Sequence, residues 1–179
     1  PRVGMREPAV ESMAEELDEL RRAEALEPYA GPALLSGVGT GLIIHEAIGH
    51  RLEGERMIAR TEGQTFAKKI GQRILPESVT LVDDPSLTSW DDQSLYGHYQ
   101  VDDEGVAARP VTLVKDGVLQ NFLMSRTCVP GFETSNGHGR HERFQDPMAR
   151  MANLLVMSND AKSWGELRED LSKPARDRN

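Results

Sequence analysis

The dipeptide Asp116-Gly117, with an apolar run on each side, restricts the fold of this chain more than any other feature. Val111–Val114 precedes it and Val118–Met124 follows it, and both runs are rich in the β-branched and large apolar residues typical of strands. Asp-Gly is favoured in two-residue hairpin turns because such turns need positive φ angles at both central positions. The sequence therefore predicts an antiparallel β-hairpin within residues 109–124.

Apolar periodicity elsewhere predicts further strands and helices. Three strands are expected at Pro32–Leu35, Ser78–Val82 and Met151–Met157. Two helices are expected at Leu42–Leu52, with Thr40 as its N-cap, and at Trp164–Leu171. The polar, glycine-punctuated stretches 53–73, 91–108 and 130–147 predict loops, the first with helical turns.

These elements indicate an α+β fold, in which antiparallel strands and hairpins pack with one central helix. A helical period over Glu7–Glu27, ended by Pro28, predicts an additional amphipathic helix. We expect residues 1–28 to be either a helix packed on the main domain or the remnant of an N-terminal domain. Residues 29–179 are expected to form the core domain.

The composition excludes several classes of function. The chain has 179 residues, with 21 Lys and Arg against 29 Asp and Glu, and its formal net charge is −8. This acidic balance argues against a nucleic-acid-binding protein, which needs a basic face for phosphate contacts. No apolar run approaches the roughly 20 residues that span a bilayer, so no membrane partner is expected. Cys128 is the single cysteine and cannot form an intrachain disulfide, which favours the reducing cytoplasm.

The segment His45-Glu46-Ala47-Ile48-Gly49-His50 contains the residue types of a hydrolytic zinc site. Neutral imidazole nitrogens bind Zn²⁺ at about 2.0–2.1 Å, and an open coordination position holds a water whose pKa falls to about 7. A glutamate beside the first ligand can take the proton of that water and pass it to the leaving group. The alternative is two unrelated histidines, one beside an apolar run and one capping a helix end near Gly49.

The spacing of the two histidines does not suit a regular α-helix. Histidines four residues apart, as in the common zinc-peptidase signature, lie about 40° apart around the helix axis. A separation of five residues places His45 and His50 about 140° apart. We therefore predict a local irregularity between them, either a π-bulge or a helix that ends near His50, with Gly49 permitting the distortion.

Further blocks surround this motif in a fixed order. They are Gly31-Pro32, Leu52-Glu53-Gly54, Val82-Asp83-Asp84, Val101–Gly105, Val114–Leu119, Asn136–Arg140 and Pro147–Asn153. Together with the histidine motif they resemble the TldD/PmbA family of zinc metallopeptidases, also described as modulators of DNA gyrase. The resemblance covers nearly everything from Gly31 to about Met157.

The resemblance implies a zinc-dependent peptidase that hydrolyses peptides or unfolded protein segments, with His45 and His50 binding Zn²⁺ and Glu46 as the catalytic carboxylate. It also implies a dimer, either of identical chains or with another family member. The alternative is a non-catalytic PmbA-like subunit that binds an active peptidase subunit or a client protein. In the family the third ligand is a cysteine in the C-terminal part, and this sequence has no counterpart to it. We therefore expect the core to be truncated at its C-terminus.

Several other residues are weighed as site candidates. Arg140 is a candidate substrate-binding residue because its guanidinium can hold a peptide carboxylate or carbonyl. His138 is a second candidate, and it and His141 could also reach the zinc, although a mobile polar loop is the favoured interpretation. For His98, we expect a structural hydrogen bond at least as much as a catalytic role. Cys128 is interpreted as a small buried residue.

The glycine pattern Gly37-x-Gly39-x-Gly41 invites comparison with phosphate-binding loops. The dinucleotide fingerprint needs a third glycine where Leu42 stands, and the Gly-Lys-Ser/Thr ending of a P-loop is absent. Close packing at the start of a helix is the simpler interpretation of these glycines.

Overall fold

The computed structural model describes residues 7–25, 27–59 and 64–173, and the chain divides into two units, residues 1–33 and 34–179. The first unit contains helix α1, Glu7–Arg22, in which Asp18 and Arg22 form an ion pair across one turn. The predicted amphipathic helix is therefore confirmed, although it ends five residues earlier than expected. The division between the units falls five residues after the expected boundary at residue 28.

A four-stranded antiparallel sheet organises the second unit. The strands of the unit are β1 (Val79–Asp83), β2 (Ser89–Trp90), β3 (Gln93–Ser94), β4 (Val111–Lys115), β5 (Val118–Leu119), β6 (Gly139–Arg140), β7 (Met148–Ala149) and β8 (Leu154–Ser158). The four-stranded sheet has the order β5-β4-β1-β8, and each neighbouring pair is antiparallel. Two smaller two-stranded sheets pair β2 with β3 and β6 with β7. The expected α+β class is confirmed.

The predicted hairpin joins β4 to β5. Asp116 and Gly117 have φ angles of 48° and 77°, as a two-residue hairpin turn requires. A side chain at Gly117 would also overlap the carbonyl oxygen of Leu75. The second strand is shorter than expected, because Leu123 leaves the sheet and forms a parallel bridge with Glu53.

The core lies against the central strands of this sheet. Its large, fully buried apolar side chains come from β1, β4, β5, the segment after β5 and Leu52, and each contributes about 1.5–3 kcal/mol by burial. Phe122 and Phe132 meet edge to face with ring centroids 5.3 Å apart. The largest fully buried apolar side chains are Leu52, Leu81, Leu113, Leu119, Phe122, Leu123 and Met124.

Helix α2, Gly37–Ala47, begins five residues before the expected start at Leu42. Ser36 is the N-cap, and its hydroxyl accepts a hydrogen bond from Gly39 N at 3.1 Å. The expectation of Thr40 as the cap is therefore wrong, because Thr40 lies inside the helix. The expected strand at Pro32–Leu35 is also wrong, since these residues form no strand and Ser36 already begins the helix.

The remaining elements agree with expectation apart from their ends. Helix α3, Trp164–Ser172, begins with a capping box in which Ser163 and Glu166 each bond the other's backbone N–H. Among their described residues, the predicted loops contain short pieces of regular structure: a 3₁₀ turn at Gly54–Met57, strand β3 and strand β6. Among the described helices, none combines the length and apolar character needed to cross a bilayer.

Candidate metal centre

Helix α2 brings an unusually apolar sequence to the surface of the second unit. Val38 and Leu42 are 85% and 62% exposed, and no residue of the helix is fully buried. Ile44 and, one turn later, Ile48 at the helix end pack against the core. Because residues four apart share one helix face, these two isoleucines hold the C-terminal end of the helix, and His45 emerges beside them.

The α-helix stops between the two histidines. Ile48 closes it with φ −119° and ψ −55°, and its N–H donates to Ile44 O at 3.0 Å. A 3₁₀ turn, Gly49–Leu52, follows. Gly49 is buried, and a side chain there would overlap Met151 Sδ. The predicted irregularity is confirmed, and it is a helix end followed by a 3₁₀ turn rather than a π-bulge.

This change of helix type brings His45 and His50 together. Their ring centroids are 4.6 Å apart with an interplanar angle of 83°. Ligand atoms of His45, Glu46 and His50 all lie within 4.8 Å of one another, and this is the one such group of metal-binding side chains in the described part of the chain. The side chains are 44%, 63% and 30% exposed, so the group opens to solvent.

The donor set fits a zinc ion. Imidazole nitrogens are common zinc ligands, a carboxylate beside them can accept a proton from a zinc-bound water, and an open side distinguishes a catalytic zinc site from a closed structural one. His45 Nε2 lies 4.0 Å from Glu46 Oε1, outside hydrogen-bond range. These two atoms therefore form no hydrogen bond with each other.

Glu53 is a functional candidate that sequence reasoning missed. Its carboxylate is fully buried and accepts a hydrogen bond from His50 Nδ1 at 2.8 Å. The other carboxylate oxygen accepts from Arg56 Nε at 2.9 Å and Arg150 Nη1 at 3.2 Å. The sequence signals were its position three residues after His50 and its place in the block Leu52-Glu53-Gly54, whereas its partner Arg150 lies 97 residues away in the chain.

His138 lies in a second, closed arrangement of histidine and carboxylate. Its side chain is fully buried, and Nε2 lies 3.2 Å from Oδ1 of the equally buried Asp83. Asp83 also accepts from Ala152 N, and Nδ1 of His138 lies 3.1 Å from Asn136 Oδ1. The mobile-loop interpretation is therefore wrong for His138, and its side chain offers no surface to a substrate.

Arg140 is partly exposed and held by two neighbours. Its Nε donates to Asp103 Oδ2 at 3.1 Å, and its guanidinium carbon lies 4.3 Å from the centroid of the Tyr99 ring. Burial raises the pKa of Asp103, but hydrogen bonds from the His141 backbone N–H and the Arg140 side chain outweigh that effect, so the pKa is lowered. Substrate binding by Arg140 stays a prediction.

Tyr99 connects Arg140 with the closed arrangement of His138 and Asp83. Its hydroxyl donates to Gly137 O at 2.9 Å, next to His138 in the chain. Burial, followed by the negative charge of Asp83, raises the pKa of Tyr99 to about 12.

His98 Nδ1 lies 3.0 Å from Leu95 O and donates to that carbonyl, which agrees with the structural hydrogen bond considered for it.

Two sequence interpretations need correction. Cys128 is exposed, so its interpretation as a small buried residue is wrong. The three glycines lie inside α2 rather than between a strand and a helix. Close packing does not explain two of them, because a Cβ at Gly37 or Gly41 would meet no other atom within 4 Å.

Comparison with known proteins supports the resemblance found in the sequence. The family described as "PmbA/TldA metallopeptidase C-terminal domain" matches residues 30–173. The metalloprotease MJ0996 of Methanocaldococcus jannaschii is 33% identical over 131 residues, and a zinc metalloprotease TldD homolog of Saccharolobus solfataricus is 30% identical over 152 residues. These alignments cover 73% and 82% of this chain, but 27% and 32% of the relatives.

A solved structure shares the fold. TldE from Thermococcus kodakarensis matches with a TM-score of 0.53 and 25% identity, over 67% of this chain and 26% of that one. In each of these comparisons the chain spans between a quarter and a third of the other protein's length.

Proposed function

Because the chain belongs to the PmbA/TldD metallopeptidase family, we propose that it contributes the metal centre of a zinc-dependent peptidase. His45 and His50 would bind the zinc ion, and Glu46 would act as general base and then general acid. One observation carries this proposal: the end of α2 brings ring nitrogens of His45 and His50 and a carboxylate oxygen of Glu46 within 4.8 Å of one another on an open surface. An isolated pair of histidines on a regular helix would not do so.

The chemistry divides between the metal and Glu46. A zinc ion held by His45 and His50 would lower the pKa of a bound water to about 7 and polarise the scissile carbonyl. The Glu46 carboxylate, 63% exposed beside the two imidazoles, would accept the proton of that water and deliver it to the departing amine nitrogen. His45 and His50 would hold the metal through ring nitrogens on the same open side as this carboxylate.

Peptides or unfolded protein segments are the proposed substrates, and a homodimer or a heterodimer with another family member is the proposed assembly. A cytoplasmic location stays a prediction from the single cysteine. The second candidate function is a non-catalytic, PmbA-like subunit that binds an active subunit or a client. The complete set of His45, Glu46 and His50 favours the peptidase over this second function.

Zinc content and peptide hydrolysis of the full-length protein test the proposal. We expect Glu46→Gln to lower kcat about 10²- to 10⁴-fold while zinc is retained, because the amide cannot accept the water's proton. His45→Ala should lose both zinc and activity. Glu77→Gln is the control, since it alters another exposed carboxylate far along the chain.

Undiminished hydrolysis by Glu46→Gln would contradict the role of this carboxylate. A wild-type protein with neither zinc nor hydrolysis, but with a stable complex with another family member, would favour the non-catalytic subunit instead.

A further inference from the structure

We propose that Glu53 is a positioning residue for the metal centre, which fixes both the orientation and the tautomer of His50. The inference rests on the proposed metal-binding role of His45 and His50, and it adds a buried carboxylate behind one ligand. Glu53 would not touch metal or substrate. It would act by determining which ring nitrogen of His50 is offered to the metal.

The hydrogen bond between Glu53 and His50 allows one assignment. Oε1 of Glu53 lies 2.8 Å from Nδ1 of His50, while Oε2 accepts from the guanidinium groups of Arg56 and Arg150. A carboxylate flanked by two guanidinium groups is an acceptor, so Nδ1 of His50 must carry the proton in this bond. In the neutral ring the lone pair then lies on Nε2, which becomes the nitrogen available to a metal.

The backbone around Glu53 is fixed on both sides. Gly54 N donates to Leu123 O at 2.8 Å, and Leu123 N donates to Leu52 O at 2.9 Å. The carbonyl oxygen of Leu123 lies 2.9 Å from the position that a Gly54 Cβ would take, so the two segments touch closely. A carboxylate on this rigid segment can hold an imidazole in one orientation, as preorganised metal sites require.

Glu53 could instead serve only to anchor its turn, by pairing with the two arginines. Its neighbour Glu55 separates anchoring from positioning, because it lies in the following 3₁₀ turn and its carboxylate accepts from Ala149 N at 3.0 Å and from the Ser125 hydroxyl. Glu55 therefore joins the same turn to other parts of the fold, but through groups that are not ligands. A change that only loosens the turn should act alike at both glutamates.

The test measures the zinc dissociation constant of the full-length protein by competition with a chelator. We expect Glu53→Gln to weaken zinc binding about 10- to 100-fold, because an amide can present a donor as well as an acceptor to His50. Glu55→Gln is the matched control and should stay within about 2-fold of the wild type. Thermal unfolding of each variant reports its stability separately.

A second readout follows the His50 ring itself. In the metal-free wild type, ¹⁵N NMR should show the proton on Nδ1, whereas Glu53→Gln should populate the other tautomer as well. Glu53→Asp keeps the charge beside both arginines but is one methylene shorter, and we expect it to weaken zinc binding at least 10-fold. It replaces Glu53→Gln in both measurements if that variant fails to fold.

Equal zinc affinities for the Glu53 and Glu55 variants, or an unchanged tautomer of His50, would overturn the inference. His45→Ala distinguishes this result from failure of the metal site. If His45→Ala binds zinc as tightly as the wild type, the proposed function is wrong; if it loses zinc while Glu53→Gln does not, only the positioning role is wrong.

Discussion

Two arrangements of histidine and carboxylate in the second unit differ sharply in burial, one being closed and the other open. In the closed one, His138 and Asp83 are fully buried, and Asp83 receives backbone as well as imidazole hydrogen bonds. In the open one, His45 and Glu46 are 44% and 63% exposed, and their nearest polar atoms are 4.0 Å apart. The same residue types therefore meet very different surroundings within one unit.

This difference in burial distinguishes side chains that stabilise the fold from side chains that can bind a metal or transfer a proton. A buried polar group is tolerated only when its hydrogen bonds are made, and both ring nitrogens of His138 already have partners within the fold. An exposed group that has no partner in the fold remains available to a metal or a proton. The closed pair should accordingly control stability, and the open group should control metal binding and catalysis.

The largest expected effect on stability is that of Asp83→Ala. It would leave the His138 imidazole and the Ala152 N–H without their buried partner, which should lower the free energy of unfolding by about 3–5 kcal/mol. His45→Ala, at the open site, should lower it by less than about 1 kcal/mol. Urea unfolding monitored by circular dichroism measures both values.

Similar losses for Asp83→Ala and His45→Ala would show that the two arrangements do not differ in this way. His138→Ala is a useful third variant, because it removes the other member of the closed pair and should also be strongly destabilising.

A smaller effect is expected when a methyl group is added at glycines on either side of the open site. A Cβ at Gly54 would lie 2.9 Å from Leu123 O and overlap Met124 Sδ, so Gly54→Ala should destabilise the protein by about 1–3 kcal/mol. Gly41 is exposed in α2 with no atom within 4 Å of its Cβ position. Gly41→Ala should therefore stabilise the protein by about 0.5–1 kcal/mol.

Thermal unfolding gives the sign of each change directly. A destabilising Gly41→Ala would mean that the exposed side of α2 is more constrained than its surroundings in this structure indicate. A neutral Gly54→Ala would mean that the contact between Gly54 and Leu123 is not as rigid as the positioning role of Glu53 requires.

Local chemistry made part of the fold predictable. The turn at Asp116-Gly117 needs positive φ angles that this dipeptide supplies, so the hairpin followed from two residues. The start of α2 was not predictable in this way, because its three glycines have low helix propensity and the helix was expected to begin only at Leu42. The helix extends through them because Ser36 caps its first turn, while Ile44, with Ile48 at the helix end, packs its other end on the core.

The candidate site was likewise predictable where the signal was local, and unpredictable where it depended on residues distant in the chain. A five-residue spacing of histidines implied a break in the helix, and the structure contains one. The partners of Glu53 and His138 could not be predicted, since Arg150 is 97 residues from Glu53 and Asp83 is 55 residues from His138. A glycine-rich segment around His138 suggested exposure, but burial depends on which distant strand it meets.

The smallest predicted effect concerns the pH dependence of stability and arises from Tyr99, near the closed arrangement of His138 and Asp83. The pKa of Tyr99 is raised from 10.0 to about 12, so the unfolded chain loses this proton at a lower pH than the folded protein. Between about pH 10 and pH 12 the folded state binds more protons, and the free energy of unfolding must fall as pH rises. Because the ring is partly exposed, we expect this contribution to be about 1 kcal/mol or less.

Comparing the pH dependence of urea unfolding for Tyr99→Phe and Tyr96→Phe isolates that contribution. Tyr99→Phe removes the ionising hydroxyl that donates to Gly137 O, so stability should fall less steeply above pH 10 than in the wild type. Tyr96 is 95% exposed, and its variant should retain the wild-type slope. Identical slopes for both variants would show that the Tyr99 hydroxyl is solvated in the folded protein and does not share the buried surroundings of His138 and Asp83.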